Sequence, residues 1–219
     1  MQRFALESGP VASSILQGFV VLEGLDGAGT TTQMRLLCER LEREGRAHVG
    51  TFEPTDGPVG RLIRSILARR VKALPLTVAL LFAADRHQHL AGPDGVIERS
   101  ERGELVVSDR YLFSSLAYQS IECGFERVLD LNEGFPLPEL LVFLDTPVAV
   151  SQARIDRRTR RELYDGAGFQ ARVREGYLRA IEHFEGCGMR VLALDGDRPP
   201  EEIHEAIWTE TARLPIHKV

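Results

Sequence analysis

Phe19-Val20-Val21-Leu22-Glu23-Gly24-Leu25-Asp26-Gly27-Ala28-Gly29-Thr30-Thr31-Thr32 is the stretch from which the architecture follows. Its first four residues are continuously apolar and partly β-branched, as in a strand buried on both faces of a parallel sheet. Gly24, Gly27 and Gly29 then make a flexible loop. From Thr31 to Arg43, Met34, Leu37, Cys38 and Leu41 recur at helical spacing, and Gly45 is a stop.

The loop nearly matches the phosphate-binding pattern G-x-x-x-x-G-K-[ST]. Gly24, Gly29 and Thr31 stand where the pattern needs them, but position 30 is threonine instead of lysine. The glycines let backbone N–H groups close around a phosphate, and the following helix presents its positive end. Thr31 is placed to ligate Mg2+ through its hydroxyl. None of this needs the lysine, which adds a point charge on the β- and γ-phosphates.

The remaining chain repeats the strand-helix alternation. Strands are expected at Ala47–Phe52, Leu105–Val107, Leu140–Leu144 and Arg190–Leu194. Helices are expected at 60–70, 76–89, 113–121, 126–132, 148–158, along the stripe Phe169, Val173, Tyr177, Ile181 and Phe184, and at 201–211. This predicts an α/β fold with a parallel sheet and helices on both faces, whose ligands sit outside the carboxyl ends of the strands. Glu23-Gly24, Glu53-Pro54, Asp109-Arg110, Asp145 and Asp195 all fall at those ends.

A length of 219 residues suggests one domain. We place it at 18–214, after an extension over residues 1–17 that resembles neither a signal peptide nor a membrane span. The net charge of −5 argues against a general nucleic-acid surface. Of 27 basic residues only Lys72 and Lys218 are lysine. Arginine suits phosphate, although genome composition explains the bias equally well. Cys38, Cys123 and Cys187 have neither metal-ligand nor disulfide spacing, which fits reduced thiols in a cytoplasm. The histidines form no metal or triad pattern, and His87 and His89 are assigned no role.

Several groups could serve phosphate chemistry. Asp109 can hold a magnesium shell and Arg110 a phosphate, though alone the pair reads equally as a strand-end salt bridge. Phe82 and Arg86 share one helix face and can hold a planar base; alone they read as a core ring and a surface arginine. Ser114, Ser115, Tyr118 and Gln119 can line a pocket or form a solvated helix face. Arg157, Arg158, Arg160 and Arg161 make a solvated face or a mobile flap that closes over transferring phosphate.

In order and spacing, the loop from Phe19 to Gln33, Glu53-Pro54, Phe82-Ala83-Ala84-Asp85-Arg86, Ser108-Asp109-Arg110-Tyr111, Ala117-Tyr118-Gln119 and Phe143-Leu144-Asp145 resemble the thymidylate kinase family over about residues 18 to 212. The resemblance implies a P-loop NTPase fold with a five-stranded parallel sheet and an arginine-rich lid at about 156–166. It implies a homodimer, and transfer of the γ-phosphate of ATP to dTMP with Mg2+. Gly24, Leu25, Asp26, Gly27, Ala28, Gly29, Thr30, Thr31 and Thr32 would bind ATP, and Thr31 and Asp109 the metal. Phe82 would stack on thymine and Arg86 would hydrogen-bond its edge. Ser115 and Gln119 would lie near the base, and Tyr118 beside the sugar. Asp26 would lie near the 3′-hydroxyl and the metal. Arg110 would bind the acceptor phosphate in a pocket shaped by Glu53 and Pro54, and residues 197–199 would cradle adenine.

The chain departs from that family at Phe52, where many bacterial members have arginine, and at Thr30. The lid arginines are the expected substitutes for the lysine charge. One arginine in phosphoryl transfer is worth three or more orders of magnitude, about 4 kcal/mol. The same residues also admit a nucleotide-binding protein without turnover, or a kinase acting on dUMP or a deoxynucleoside.

Overall fold

The computed structural model describes residues 14–156 and 166–215. In chain order the elements are β1 (Ile15–Gly24), α1 (Thr30–Arg43), β2 (His48–Phe52), α2 (Pro58–Leu67) and α3 (Pro75–Ala91). Next come α4 (Val96–Glu101), β3 (Leu105–Asp109), α5 (Leu112–Tyr118), α6 (Ser120–Cys123) and α7 (Phe125–Leu131). The chain closes with β4 (Leu137–Asp145), α8 (Val148–Ile155), α9 (Ala167–His183), β5 (Arg190–Asp195) and α10 (Pro200–Thr211).

The five strands form one sheet in the order β2-β3-β1-β4-β5, parallel throughout. The three inner strands are apolar without alternation because both faces are covered: Phe19 to Leu22, Leu105 to Val107 and Leu140 to Leu144 are all buried. The outer strand β5 alternates between half-buried and exposed positions instead. Register aligns the carboxyl ends. Leu22 and Phe52 both pair with Asp109, Gly24 pairs with Leu144, and Asp145 pairs with Asp195. The polar strand-end residues are thus carried to one edge.

Several boundaries differ from expectation: α2 is Pro58–Leu67 against 60–70, β4 is Leu137–Asp145 against 140–144, and α8 stops at Ile155 against 158. β1 starts at Ile15, inside the segment read as an extension, and its pairing with β4 is irregular between Leu16 and Val20. Gly18 has a φ of 70° there, and its N–H donates to Glu139 Oε2 at 2.7 Å. Gln17 and Gly18 interrupt the apolar run, so periodicity alone starts the strand too late. The helix expected over 113–121 is two pieces, α5 and α6, meeting at Gln119.

Every residue of α5 is buried. It packs against α9 where Gly176 removes the side chain: a Cβ there would lie 2.8 Å from Ala117 Cα. That contact brings Tyr177 beside Ser114.

Candidate active site

The loop between β1 and α1 is tightly enclosed. Gly27 has a φ of 83°, and a Cβ on it would lie 2.8 Å from the Ser151 carbonyl oxygen of α8. Gly29, with a φ of 102°, is the N-cap of α1, and no side chain caps that helix or places an acid in its first turn. Its N-terminal N–H groups face a cleft of about 700 Å3 lined by residues 26 to 34, an arrangement suited to phosphate. Leu25 lies in the hydrophobic core, and its carbonyl accepts from the Ala28 N–H at 2.9 Å. Leu25 and Gly24 therefore shape the loop, while Asp26 to Thr32 face the cleft.

At the cleft floor the Thr31 hydroxyl donates to Asp109 Oδ2 at 2.5 Å. Asp109 Oδ1 is buried and has no protein partner. A hydroxyl and an under-satisfied carboxylate beside a phosphate cradle fit Mg2+, which takes oxygen ligands and keeps several waters.

Arg110 leaves β3 in the left-handed region, with a φ of 75°. Its Nη2 donates to Asp26 Oδ1 at 2.6 Å. Its Nη1 donates to the Gly24 carbonyl at 3.1 Å, to Ser114 Oγ at 3.1 Å and to the Tyr177 hydroxyl at 2.9 Å. Behind it lies Glu23, fully buried. Burial pushes the Glu23 carboxyl up to about 7, against the charge of Arg110 and hydrogen bonds from Ser114, Tyr177 and the Tyr111 N–H.

A second, smaller pocket of about 140 Å3 opens beside the first. Phe82, Arg86, Ser114, Tyr118 and Gln119 line it, and it shares Asp26, Glu53, Pro54 and Arg110 with the larger cleft. Arg86 is 1% exposed, not the surface arginine that its spacing alone allowed. It donates to Glu53 Oε2 at 2.7 Å, to Ser115 Oγ at 3.1 Å and to Asn132. Glu53 uses its other oxygen on His89 Nδ1 at 3.0 Å, and His89 Nε2 meets Thr51 Oγ1 at 2.7 Å. Glu53 thus anchors Arg86, and His89, given no role from sequence, supports Glu53. Ser114, Ser115, Tyr118 and Gln119 are all buried, so the solvated-face alternative does not hold. Ser115 sits behind Arg86, and Ser114 takes the pocket wall.

Three further arginines stand in the larger cleft, and two of them, Arg64 and Arg154, were not singled out from sequence. Arg64 donates to the Pro54 carbonyl at 2.6 Å and to the Thr55 carbonyl. Arg154 donates to the carbonyls of Gly27 at 3.2 Å and Gly196 at 3.2 Å. Arg198 pairs with Glu202 at 2.8 Å. Gly196 and Pro200 line the cleft with Arg198, on the side where an adenine contact at 197–199 was expected. Arg157, Arg158, Arg160 and Arg161 lie outside the described residues.

A phosphate-binding loop on a five-stranded parallel sheet, with two pockets meeting at a paired aspartate and arginine, defines a P-loop NTPase fold of the nucleoside monophosphate kinase type. The family model described as Thymidylate kinase matches residues 22–207. A Treponema pallidum (strain Nichols) protein described as "Putative thymidylate kinase" is 42% identical over 198 residues, covering 89% of this chain and 94% of the relative. A Thermococcus kodakarensis protein described as "Probable thymidylate kinase" is 42% identical over 177 residues, covering 76% of this chain and 85% of the relative. The chain belongs to the thymidylate kinase family.

Proposed function

We propose that this protein transfers the γ-phosphoryl group of ATP to the phosphate of dTMP, giving dTDP and ADP, with Mg2+ bound at Thr31 and Asp109. The observation that carries this reading is the meeting of the two pockets at Asp26 and Arg110. A donor on the N-terminus of α1 and a nucleotide beside Phe82 would bring their phosphates together there. Holding the two phosphates in line is the main catalytic task in phosphoryl transfer.

Arg110 neutralises the acceptor phosphate, and Asp26 holds Arg110 while reaching toward the nucleotide sugar. Phe82 offers a stacking face, and Arg86, locked by Glu53 and Asn132, offers its guanidinium edge to a base. Gln119 has a buried Oε1 with no protein partner at the same pocket, which suits a base N–H. Tyr118 narrows the sugar end and disfavours a 2′-hydroxyl. When bound, Mg2+ would spread the developing negative charge over the donor phosphates. Arg64 and Arg154 add positive charge to the cleft, and the arginines at 157, 158, 160 and 161 supply the charge that Thr30 does not.

Leu62, Leu74 and Leu80 are exposed apolar residues on or beside α2 and α3. They support a homodimer. The three free thiols suit the cytoplasm.

The test is dTDP formation from ATP, Mg2+ and dTMP by purified protein, against dUMP, the ribose form of TMP and thymidine as alternative acceptors. Turnover with dTMP at the highest kcat/KM is the expected result. Measurable dTMP binding with turnover no greater than that of Asp109→Ala would overturn the catalytic reading.

A further inference from the structure

Among the described residues Glu23 is the one fully buried carboxylate at the strand ends, and none of the steps above uses it. Its Oε1 accepts from the backbone N–H of Tyr111 at 2.8 Å and of Ser114 at 3.1 Å. Its Oε2 accepts from Ser114 Oγ at 2.6 Å and from the Tyr177 hydroxyl at 2.9 Å. The same two hydroxyl oxygens accept from Arg110 Nη1. Carboxylate and guanidinium are therefore joined through a pair of hydroxyls that lie 2.9 Å from each other.

The backbone of Arg110 is fixed from the same direction. Its N–H donates to the Leu22 carbonyl at 2.9 Å, its carbonyl accepts from Ser108 Oγ at 2.8 Å, and the next N–H is held by Glu23. A non-glycine residue in the left-handed region persists where its surroundings over-determine it. Glu23 supplies two of those constraints, one on the turn and one on the side chain.

We propose that Glu23 is a positioning residue for the acceptor phosphate: through the turn at Tyr111 and the hydroxyls of Ser114 and Tyr177, it fixes the Arg110 guanidinium on which that phosphate docks. This rests on the kinase reading only in placing a phosphate at Arg110. The carboxylate form makes the arrangement, because it alone accepts all four hydrogen bonds. The titratable and charged groups around it are Arg110, Asp26, Asp109, Tyr111, Tyr118 and Tyr177. Tyr111, Tyr118 and Tyr177 are all raised, mainly by burial, and stay neutral at ordinary pH. Glu23 is thus the group here poised to change charge near neutrality.

The test is calorimetric binding of thymidine and of dTMP, without ATP, to wild type, Glu23→Gln and Tyr177→Phe at pH 6 and pH 8. The difference between the two ligands isolates the phosphate. At pH 8, Glu23→Gln is expected to weaken dTMP tenfold or more while thymidine stays within twofold. The deficit should shrink at pH 6, where the wild-type carboxyl is itself protonated. Tyr177→Phe should act in the same direction more weakly, and it carries the test if Glu23→Gln does not fold. Equal losses for both ligands, no loss, or a loss that is the same at both pH values would each overturn the proposal. So would a wild type that binds dTMP no more tightly than thymidine. Failure to form dTDP would sink the kinase reading and leave this binding result standing.

Discussion

Thr31 and Asp109, 78 positions apart, share a hydrogen bond of 2.5 Å that joins the first turn of α1 to the end of β3. The Asp109 carboxylate is buried, and its Oδ1 has no protein partner among the described residues. The contact of Thr31 with Asp109 makes sense as one side of a cation's coordination shell. Asp109→Asn is therefore expected to lower kcat by two or more orders of magnitude and to raise the Mg2+ concentration for half-maximal rate. A Mg2+ titration of initial rates at saturating ATP and dTMP checks this. An unchanged Mg2+ dependence would remove Asp109 from the metal site.

Thr30 faces the cleft from the first position of α1 and brings no charge to it. Thr30→Lys is expected to raise kcat, and replacing Arg157, Arg158, Arg160 and Arg161 together by alanine to lower kcat far more than KM. Combining the changes should restore part of the lost rate, because the added ammonium takes over the task of the missing guanidinium groups. Steady-state kinetics of the three variants decide it. A combined variant no faster than the alanine variant would mean that the arginines do not stand in for a loop lysine.

Glu53→Ala would leave the Arg86 guanidinium buried without its counter-charge. Removing one partner of a buried pair costs about 3–5 kcal/mol. Urea unfolding should show a loss of that size with an unchanged m-value, and His89→Ala a smaller one. A Glu53→Ala protein as stable as wild type would mean that Arg86 finds other partners.

Glu23 gives stability a pH dependence whose sign is fixed. Its carboxyl is raised from 4.5 to about 7 in the folded protein. Between those values the folded state holds a proton that the unfolded state has released, so stability falls as pH rises through the window. The group's contribution amounts to about 3 kcal/mol. Glu23→Gln should flatten that segment of the stability profile, measured by chemical denaturation between pH 5 and pH 8. A profile parallel to that of wild type would mean that Glu23 ionises at an ordinary value.

The strands and the loop were legible because their information is local. Phe19 to Leu22 is apolar at every position, and Gly24, Gly29 and Thr31 stand at fixed offsets. Strand ends in a parallel sheet lie together by topology, so Asp26, Asp109 and Arg110 could be assembled in advance. What stayed hidden depends on side chains meeting across the fold. Tyr177 reads as one apolar position in a helical stripe, yet its hydroxyl is 2.9 Å from Glu23, 154 positions away. Arg64 and Arg154 belong to no motif and reach the cleft only because α2 and α8 end there. Ser114 and Ser115 are adjacent, and helical phase alone could not say which would face Arg86.

The close approach of Gly27 to the Ser151 carbonyl restricts how this loop can change. Any side chain at position 27 would displace α8, so mutation cannot install a cation there without first moving a whole helix. Position 30, which lines the cleft, holds a buried threonine. Positive charge therefore reaches the loop from outside it, as Arg154 of α8 does at the Gly27 carbonyl.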